Sequence, residues 1–529
     1  MASQPPQLHF VLFPLMSPGH MLPMIDLATM LSQHNAIVTL VTTPHNATRF
    51  SETFARASQS GLQLRLVQLQ FPSNEAGFPE GCENFDMLPS MGMGLSFFIA
   101  ANNILQDPAE KVFEELTPRP HCIISDCSLP YTAHIATKFN IPRISFYGVS
   151  CFCLLWQQNL VISKVLENIK TDSEYFVIPD IPDKIETTKA QTPEAMNENW
   201  KEFVDKMAAA EMVSYGVVMN SFEELEGAYA RDYKKARNDK LWCVGPVSLR
   251  NKDHLDKARR GNKASIDVDH CMKWLDLQKP SSVIYACLGS ICNLTPLQLI
   301  ELGMALEASK RPFIWVIRER NQSEELNRWI KESGFEERTK SLGLLIRGWA
   351  PQVLILSHPA IGGFLTHCGW NSTLEAICAG VPMLTWPLFG DQFFNEKFVV
   401  QILRVGVRVG VESPVKWGDE EKTGVLVKKE DVEKAIDKLM DESNETEERR
   451  KRARELAEMA KRAVEEGGSS HFNVTLLIQD IMQQTKYALC HYVILYLISS
   501  CSFCFPMLYC PCRMLIIFLM IRCWVKTQD

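Results

Sequence analysis

The chain has 529 residues, 46% of them apolar and 22% charged, with a net charge of −7. That length predicts two domains or one large one, and the apolar share is enough for buried cores. No basic face stands out, so nucleic acid is not expected as a partner, and the acidic excess is too small to point to any other.

The opening "MASQPPQLHFVLFPLM" has no basic start, and a proline interrupts its short apolar run. It does not read as a secretory leader, so a cytoplasmic chain is expected. The seventeen cysteines then read as reduced thiols rather than a disulfide framework. In chain order, "HFVLFPL" predicts a buried strand, "MLPMIDLATMLSQH" a helix and "AIVTLVTT" a strand. "CIISD" and "PRISFYG" are strands flanking the helix "LPYTAHIATKF", and "YGVVMNSF" and "LWCVGPV" complete the first half. The second half repeats the alternation with "SSVIYACLGS", the helix "TPLQLIELGMALEASK", "PFIWVIR", "LGLLIRGW", "GGFLTH" and "VPMLTWP". Strand–helix alternation predicts the α/β class with parallel sheets covered by helices on both faces. The polar, aperiodic stretch 250–269 reads as a linker between domains 1–249 and 270–485. Two doubly wound, Rossmann-like domains facing each other across a cleft would place ligands at the carboxyl ends of their strands.

In "LTHCGWNSTLEAICAGVP" an apolar strand runs straight into Thr366, His367, Gly369, Asn371 and Ser372 before a short helix. Asn371 and Ser372 could simply cap a helix starting there. A phosphate would use the whole set: free N–H groups at a positive helix start, a hydroxyl, an amide, an imidazole, and a glycine-containing turn that admits a ligand. The local chemistry leaves both readings open. The wider segment Trp349 to Gln392 opens "WAPQ", carries "HCGWNS" with an acidic residue three positions later, and ends "DQ". It resembles, almost residue for residue, the 44-position donor box of plant secondary-product UDP-glycosyltransferases. The resemblance spans about residues 8–485 and is nearest to the subgroup acting on triterpenoids, steroids and related lipophilic acceptors.

The resemblance implies the GT-B arrangement, with an acceptor domain first and a UDP-sugar domain second. It implies that Trp349 stacks on uracil while the Ala350 backbone reads its edge, and that Gln352 and Glu375 hold the ribose hydroxyls, a carboxylate suiting a diol. His367, Asn371 and Ser372 would hold the diphosphate with help from Ser290, while Trp370, Asp391 and Gln392 would face the sugar. A terminal glutamine goes with UDP-glucose in that family. Val149 departs from it: many relatives carry a threonine that touches the sugar, and the neighbouring Ser150 is the candidate replacement.

His20, after the first strand in "SPGHMLP", sits where ligands sit and titrates near neutrality. On its own it reads more readily as a helix-terminus histidine; the family's "PGH" motif reverses this and implies a general base that deprotonates the acceptor. Asp126, ending "CIISD", is either the orienting carboxylate for that imidazole, as the family uses it, or the cap of the following helix. The implied reaction is inverting transfer of glucose from UDP-glucose to a hydroxyl or carboxyl of a small lipophilic acceptor. No cofactor or metal is expected. "DVD" at Asp267–Asp269 lies in the linker and reads as a chance match to a cation-binding pair. The Met- and Phe-rich stretch 87–105 and Trp156 are candidates for the acceptor wall or for core. The cluster "RRKRAR" reads as a solvated helix face with i,i+4 pairs.

Residues 486–529 fall outside the resemblance. From Tyr487 to Cys512 there is no Asp, Glu, Lys or Arg, and the length suits a membrane span. The preferred reading is translated non-coding sequence, such as a retained intron or shifted frame, whose composition this stretch suits. An endoplasmic-reticulum anchor therefore stays open beside a cytoplasmic monomer. A dehydrogenase is disfavoured because "FPLMSPGH" lacks a glycine-rich dinucleotide fingerprint. A protein that holds UDP-sugar or terpenoid without turnover is the remaining alternative.

Overall fold

The runs of Val, Ile, Leu and Phe that open each half become strands buried at every position, as parallel sheets covered on both faces require. The structure, a computed structural model, describes residues 7–192, 198–252 and 254–501. The first sheet is formed by β1 (His9–Phe13), β2 (Ile37–Thr42), β3 (Leu64–Gln68), β4 (Cys122–Asp126), β5 (Arg143–Tyr147), β8 (Gly216–Met219) and β9 (Leu241–Cys243). Between β5 and β8 lies a small antiparallel hairpin, β6 (Tyr175–Val177) and β7 (Glu186–Thr188). The second sheet comprises β10 (Val283–Cys287), β11 (Phe313–Ile317), β12 (Gly343–Arg347), β13 (Ile361–Thr366), β14 (Met383–Thr385) and β15 (Gly406–Arg408).

The sheet orders are β3-β2-β1-β4-β5-β8-β9 and β12-β11-β10-β13-β14-β15. Their pairings are parallel, with Phe10 opposite Cys122 and Cys287 opposite Thr366. In each sheet the order reverses once, between β1 and β4 and between β10 and β13. A crevice opens at such a reversal because the helices on either side run to opposite faces. His20 and Asp126 belong to the first reversal, Ser290 and His367 to the second.

The two halves share apolar packing. Trp156 lies against Phe394 with ring centroids 4.0 Å apart, and Phe152 against Phe398 at 5.3 Å. Trp156 is fully buried here, so it is core and not an acceptor wall. In the stretch 87–105 the large side chains Met91, Phe97 and Leu105 are likewise buried.

Three expectations need correction. The segment 250–269 contains a short helix, His254–Ala258, and a buried arginine, Arg260. The domain boundary at 485 also shifts: Asn473 Nδ2 donates to the Cys243 carbonyl (3.1 Å) and Ser469 Oγ to Glu224 (2.7 Å), so this stretch rests on the first sheet's edge. In the basic cluster, Arg449 is buried and pairs with Glu445 at 2.7 Å, while Arg452 and Arg454 remain on the outer face. The helix begun at Ser469 runs to Cys501, through the expected start of the foreign tail. Residues 502–529, and with them much of the candidate span, lie outside the described residues. No helix among the described residues is long and apolar enough to cross a membrane.

Candidate active site

One cavity lies between the carboxyl ends of the two sheets. It is lined by His20, Ser290, Trp349, Ala350, Gln352, His367, Gly369, Trp370, Asn371, Ser372, Glu375, Asp391 and Gln392. Asp126 stands one layer behind, fully buried beneath His20.

The strand-to-helix turn after β13 is made by Cys368, a buried non-glycine residue at φ 64°. The helix then starts at Trp370 with Gly369 as its cap residue, and no side chain caps it. Asn371 and Ser372 are therefore inside the first turn, which corrects the capping reading. Asn371 Nδ2 donates to the Gly19 carbonyl, and Ser372 Oγ accepts from Gln352 Nε2 at 3.0 Å. A helix start without a side-chain cap, bordering a cavity, calls for an anionic partner.

His367 supports the same reading. Its Nδ1 is buried without a hydrogen-bond partner, and burial, with the nearby Arg318 charge, pulls its pKa down to about 4. The ring is neutral at physiological pH and has a polar atom to offer a ligand. It fits only because its neighbours are glycines: a Cβ on Gly289 or Gly369 would fall 2.5 or 2.4 Å from the imidazole. Gly369 thus makes room for His367, rather than for a ligand directly. Arg318 was not anticipated. It follows β11, its Nε donates to the Gly289 carbonyl at 3.1 Å, and its guanidinium lies 4.5 Å from the centre of the Trp349 ring. Its position just past a strand's carboxyl end was the available signal.

At the opposite side, β1 and β4 deliver the pair predicted from "PGH" and "CIISD". His20 Nδ1 lies 2.6 Å from Asp126 Oδ2, while Asp126 Oδ1 accepts from the Ser128 N–H at 2.9 Å. The carboxylate divides its oxygens between imidazole and local turn, and the helix that follows starts after Pro130 with no side-chain cap. Burial lowers the His20 pKa, but the charge and hydrogen bond of Asp126 outweigh it, with help from Asp391, and the net shift is upward. Nδ1 being held by the carboxylate, the opposite ring nitrogen is the one left for a substrate proton.

The remaining predicted residues are partly committed within the protein. Gln352 Nε2 donates to Glu375 Oε2 at 2.8 Å, and its Oε1 accepts from Tyr285 at 3.4 Å. The Ala350 carbonyl accepts from the Gln352 N–H at 2.8 Å. Trp370 borders the cavity, yet its indole N–H donates to the Asn220 carbonyl at 2.8 Å, tying the second half to the first. Gln392 Oε1 accepts from the Leu388 and Phe389 N–H groups, which leaves its Nε2 as the group able to donate to a ligand. Asp391 accepts from Asn395 at 2.7 Å, and burial pushes its pKa up to about 6. Ser290 has a half-buried position on the cavity rim. Ser150 cannot replace the missing threonine: it is fully buried, capping the helix that starts at Cys151 by accepting from the Cys153 N–H at 3.0 Å. Apolar lining comes from Leu22, Val149, Ile291 and Phe389 instead of the stretch 87–105. Asp267 of the "DVD" caps the helix Val268–Asp276, accepting from His270 at 2.7 Å.

Two facing parallel sheets, with the His20–Asp126 couple at one reversal and an uncapped helix start beside His367 at the other, have the GT-B arrangement of a group-transfer enzyme. Residues 269–482 match the family described as UDP-glucoronosyl and UDP-glucosyl transferase. The chain is 57% identical to UDP-glycosyltransferase 73C6 of Arabidopsis thaliana over 484 residues, covering 91% of this chain and 98% of that one. It is 57% identical to UDP-glycosyltransferase 73C11 of Barbarea vulgaris, over 90% and 97%. The structure is similar to that of Glycyrrhiza uralensis UGT73P12 complexed with glycyrrhetinic acid 3-O-monoglucuronide, with a TM-score of 0.85, 35% identity, and coverage of 93% of this chain and 100% of that one. It is also similar to Arabidopsis thaliana UGT89C1 complexed with UDP-L-rhamnose, with a TM-score of 0.69, 30% identity, and coverage of 90% and 100%. The chain belongs to the plant UDP-glycosyltransferases.

Proposed function

We propose that this enzyme transfers glucose from UDP-glucose to a hydroxyl of a small lipophilic acceptor, of triterpenoid, steroid or flavonoid kind, with inversion to a β-glucoside. The observation that carries the reading is the pairing, across one cavity, of the His20–Asp126 couple with the uncapped helix start beside the unpartnered His367. His20 takes the acceptor proton through the nitrogen not held by Asp126. The acceptor oxygen attacks the anomeric carbon as the bond to UDP breaks, and Asp126 stabilises the imidazolium that forms. The diphosphate leaves onto His367, Asn371, Ser372 and the first-turn N–H groups, so the protein's own donors carry its developing charge. Asp391 and the Nε2 of Gln392 suit sugar hydroxyls, one accepting and one donating. UDP as the leaving nucleotide is supported by the UDP-sugar complex of a 30% identical relative, and a triterpenoid-like acceptor by the glycyrrhetinic acid derivative bound to another.

The test is acceptor-dependent UDP release from UDP-glucose, with a panel of triterpenoid, steroid and flavonoid alcohols, beside the His20→Ala variant. Turnover that falls by roughly 10²–10⁴ in the variant, with UDP affinity unchanged, supports the base assignment. A folded protein that binds UDP yet turns over no acceptor would put holding without transfer in its place.

A further inference from the structure

The segment between the sheets does more than connect them. Arg260 is buried with two carboxylates from opposite halves: its Nε donates to Asp26 Oδ2 at 2.9 Å, and its Nη1 to Glu375 Oε1. The side chains are 7%, 9% and 5% exposed. Asp26 lies on the helix Pro18–Gln33 that carries His20 and also accepts from Asn251 at 3.0 Å. Next in the chain, Gly261 has φ 101°, and a Cβ there would fall 2.3 Å from the Trp349 ring. Ser265 then meets Trp349 edge to edge: its Oγ accepts from the Trp349 N–H and its own N–H donates to the Trp349 carbonyl, each at 2.8 Å.

One guanidinium between two carboxylates leaves a buried net negative charge. Such a charge is costly unless further donors reach it. Glu375 receives Arg260 on one oxygen and Gln352 on the other, although a carboxylate can accept about four hydrogen bonds. Its spare acceptor capacity is on a side chain that borders the cavity. A simple staple between the halves would need one carboxylate only, and would not need contact with the indole.

We propose that the strap Arg260–Ser265 is a working part of the nucleoside site: Arg260 orients the Glu375 carboxylate for the ribose hydroxyls, while Gly261 and Ser265 hold Trp349 in place for the base. The inference rests on the donor-site reading above, and its test separates the two. Arg260 is a positioning residue, since it acts on the ligand through Glu375. Asp26 serves as the anchor of that arginine on the first half, so donor recognition is tied to how the halves are held.

The experiment measures binding of UDP and of 2′-deoxy-UDP by calorimetry to the full-length wild type and to Arg260→Ala, Arg260→Lys and Asp26→Asn. Wild type should prefer UDP by roughly tenfold or more, the value of one hydrogen bond to a charged group. Arg260→Ala should bind UDP more weakly and bring the preference close to one, with Arg260→Lys and Asp26→Asn in between. Should Arg260→Ala not fold, the two milder variants carry the comparison. A merely structural staple would weaken both ligands equally and leave their ratio unchanged; that result overturns the proposal, as does a wild type indifferent to the 2′-hydroxyl. A wild type that binds no UDP at all removes the donor-site reading and this inference with it.

Discussion

At the scale of single residues, the site sets groups of opposite ionisation behaviour close together. His20 is shifted up by Asp126, and as a base it must be neutral. Asp126→Asn removes the charge that favours the imidazolium, so the His20 pKa falls. The acid limb of kcat/KM should move to lower pH while the plateau drops by roughly 10²-fold or more, because the ring also loses its orienting partner. A pH–rate profile of the variant checks both. Asp391 tests the reverse economy. Its pKa rises from 3.8 to about 6, so its contribution to stability is full below the unfolded value and is lost as pH rises through about 6. Above that, the native state carries an ionised, half-buried carboxylate. Asp391→Asn should raise Tm at pH 7.5 by the equivalent of about 1–2 kcal/mol and less at pH 5, while weakening UDP-glucose binding. Melting curves at the two pH values decide it.

At the scale of elements, the turn after β13 and the loop after β10 work as one unit. Gly289 at φ 84° and Gly369 leave the gap that His367 fills. Gly289→Ala should cost about 1–3 kcal/mol through strain and displacement of the ring, and should weaken UDP binding in step. Gly410→Ala is the control: its φ is 103° but nothing lies within 4 Å of the added carbon, so it should carry the strain and leave UDP binding unchanged. Among the strands, those buried on both faces were legible because continuous apolar runs have few other uses. β3 mixes exposed and half-buried positions without regular alternation and forms a sheet edge, and β15 has three residues, too few for a pattern. The helix after β13 was legible in existence but not in its start, since Asn371 and Ser372 carry a capping composition and serve other partners.

At the scale of the molecule, residues that line the cavity are also contacts between the halves. Trp370 reaches the Asn220 carbonyl, Asn371 the Gly19 carbonyl, and Arg260 spans Asp26 and Glu375. Occupancy of the cavity and the fit of the halves are therefore linked. UDP at 100 times its Kd should stabilise the wild type by about 2.7 kcal/mol, read as a rise in Tm. Trp370→Phe keeps the ring but not the N–H; it should lose about 1–3 kcal/mol by leaving the Asn220 carbonyl unpaired, and part of the UDP-induced rise with it. Thermal melts with and without UDP provide the measurement.

The amino-acid order alone determined the α/β class, the strand-end positions of His20 and His367, and the motifs that resemble a donor box, because strand burial and short motifs are local properties of sequence. Tertiary structure decided the rest. Trp156 became core because its neighbour Phe394 comes from far along the chain. The polar segment 250–269 had no periodicity to mark it, since its important side chains meet partners one at a time: Arg260 finds carboxylates 234 and 115 residues away. A buried charge is stable only beside opposite charge, and which charges fold together is a property of the packed molecule rather than of any stretch of it.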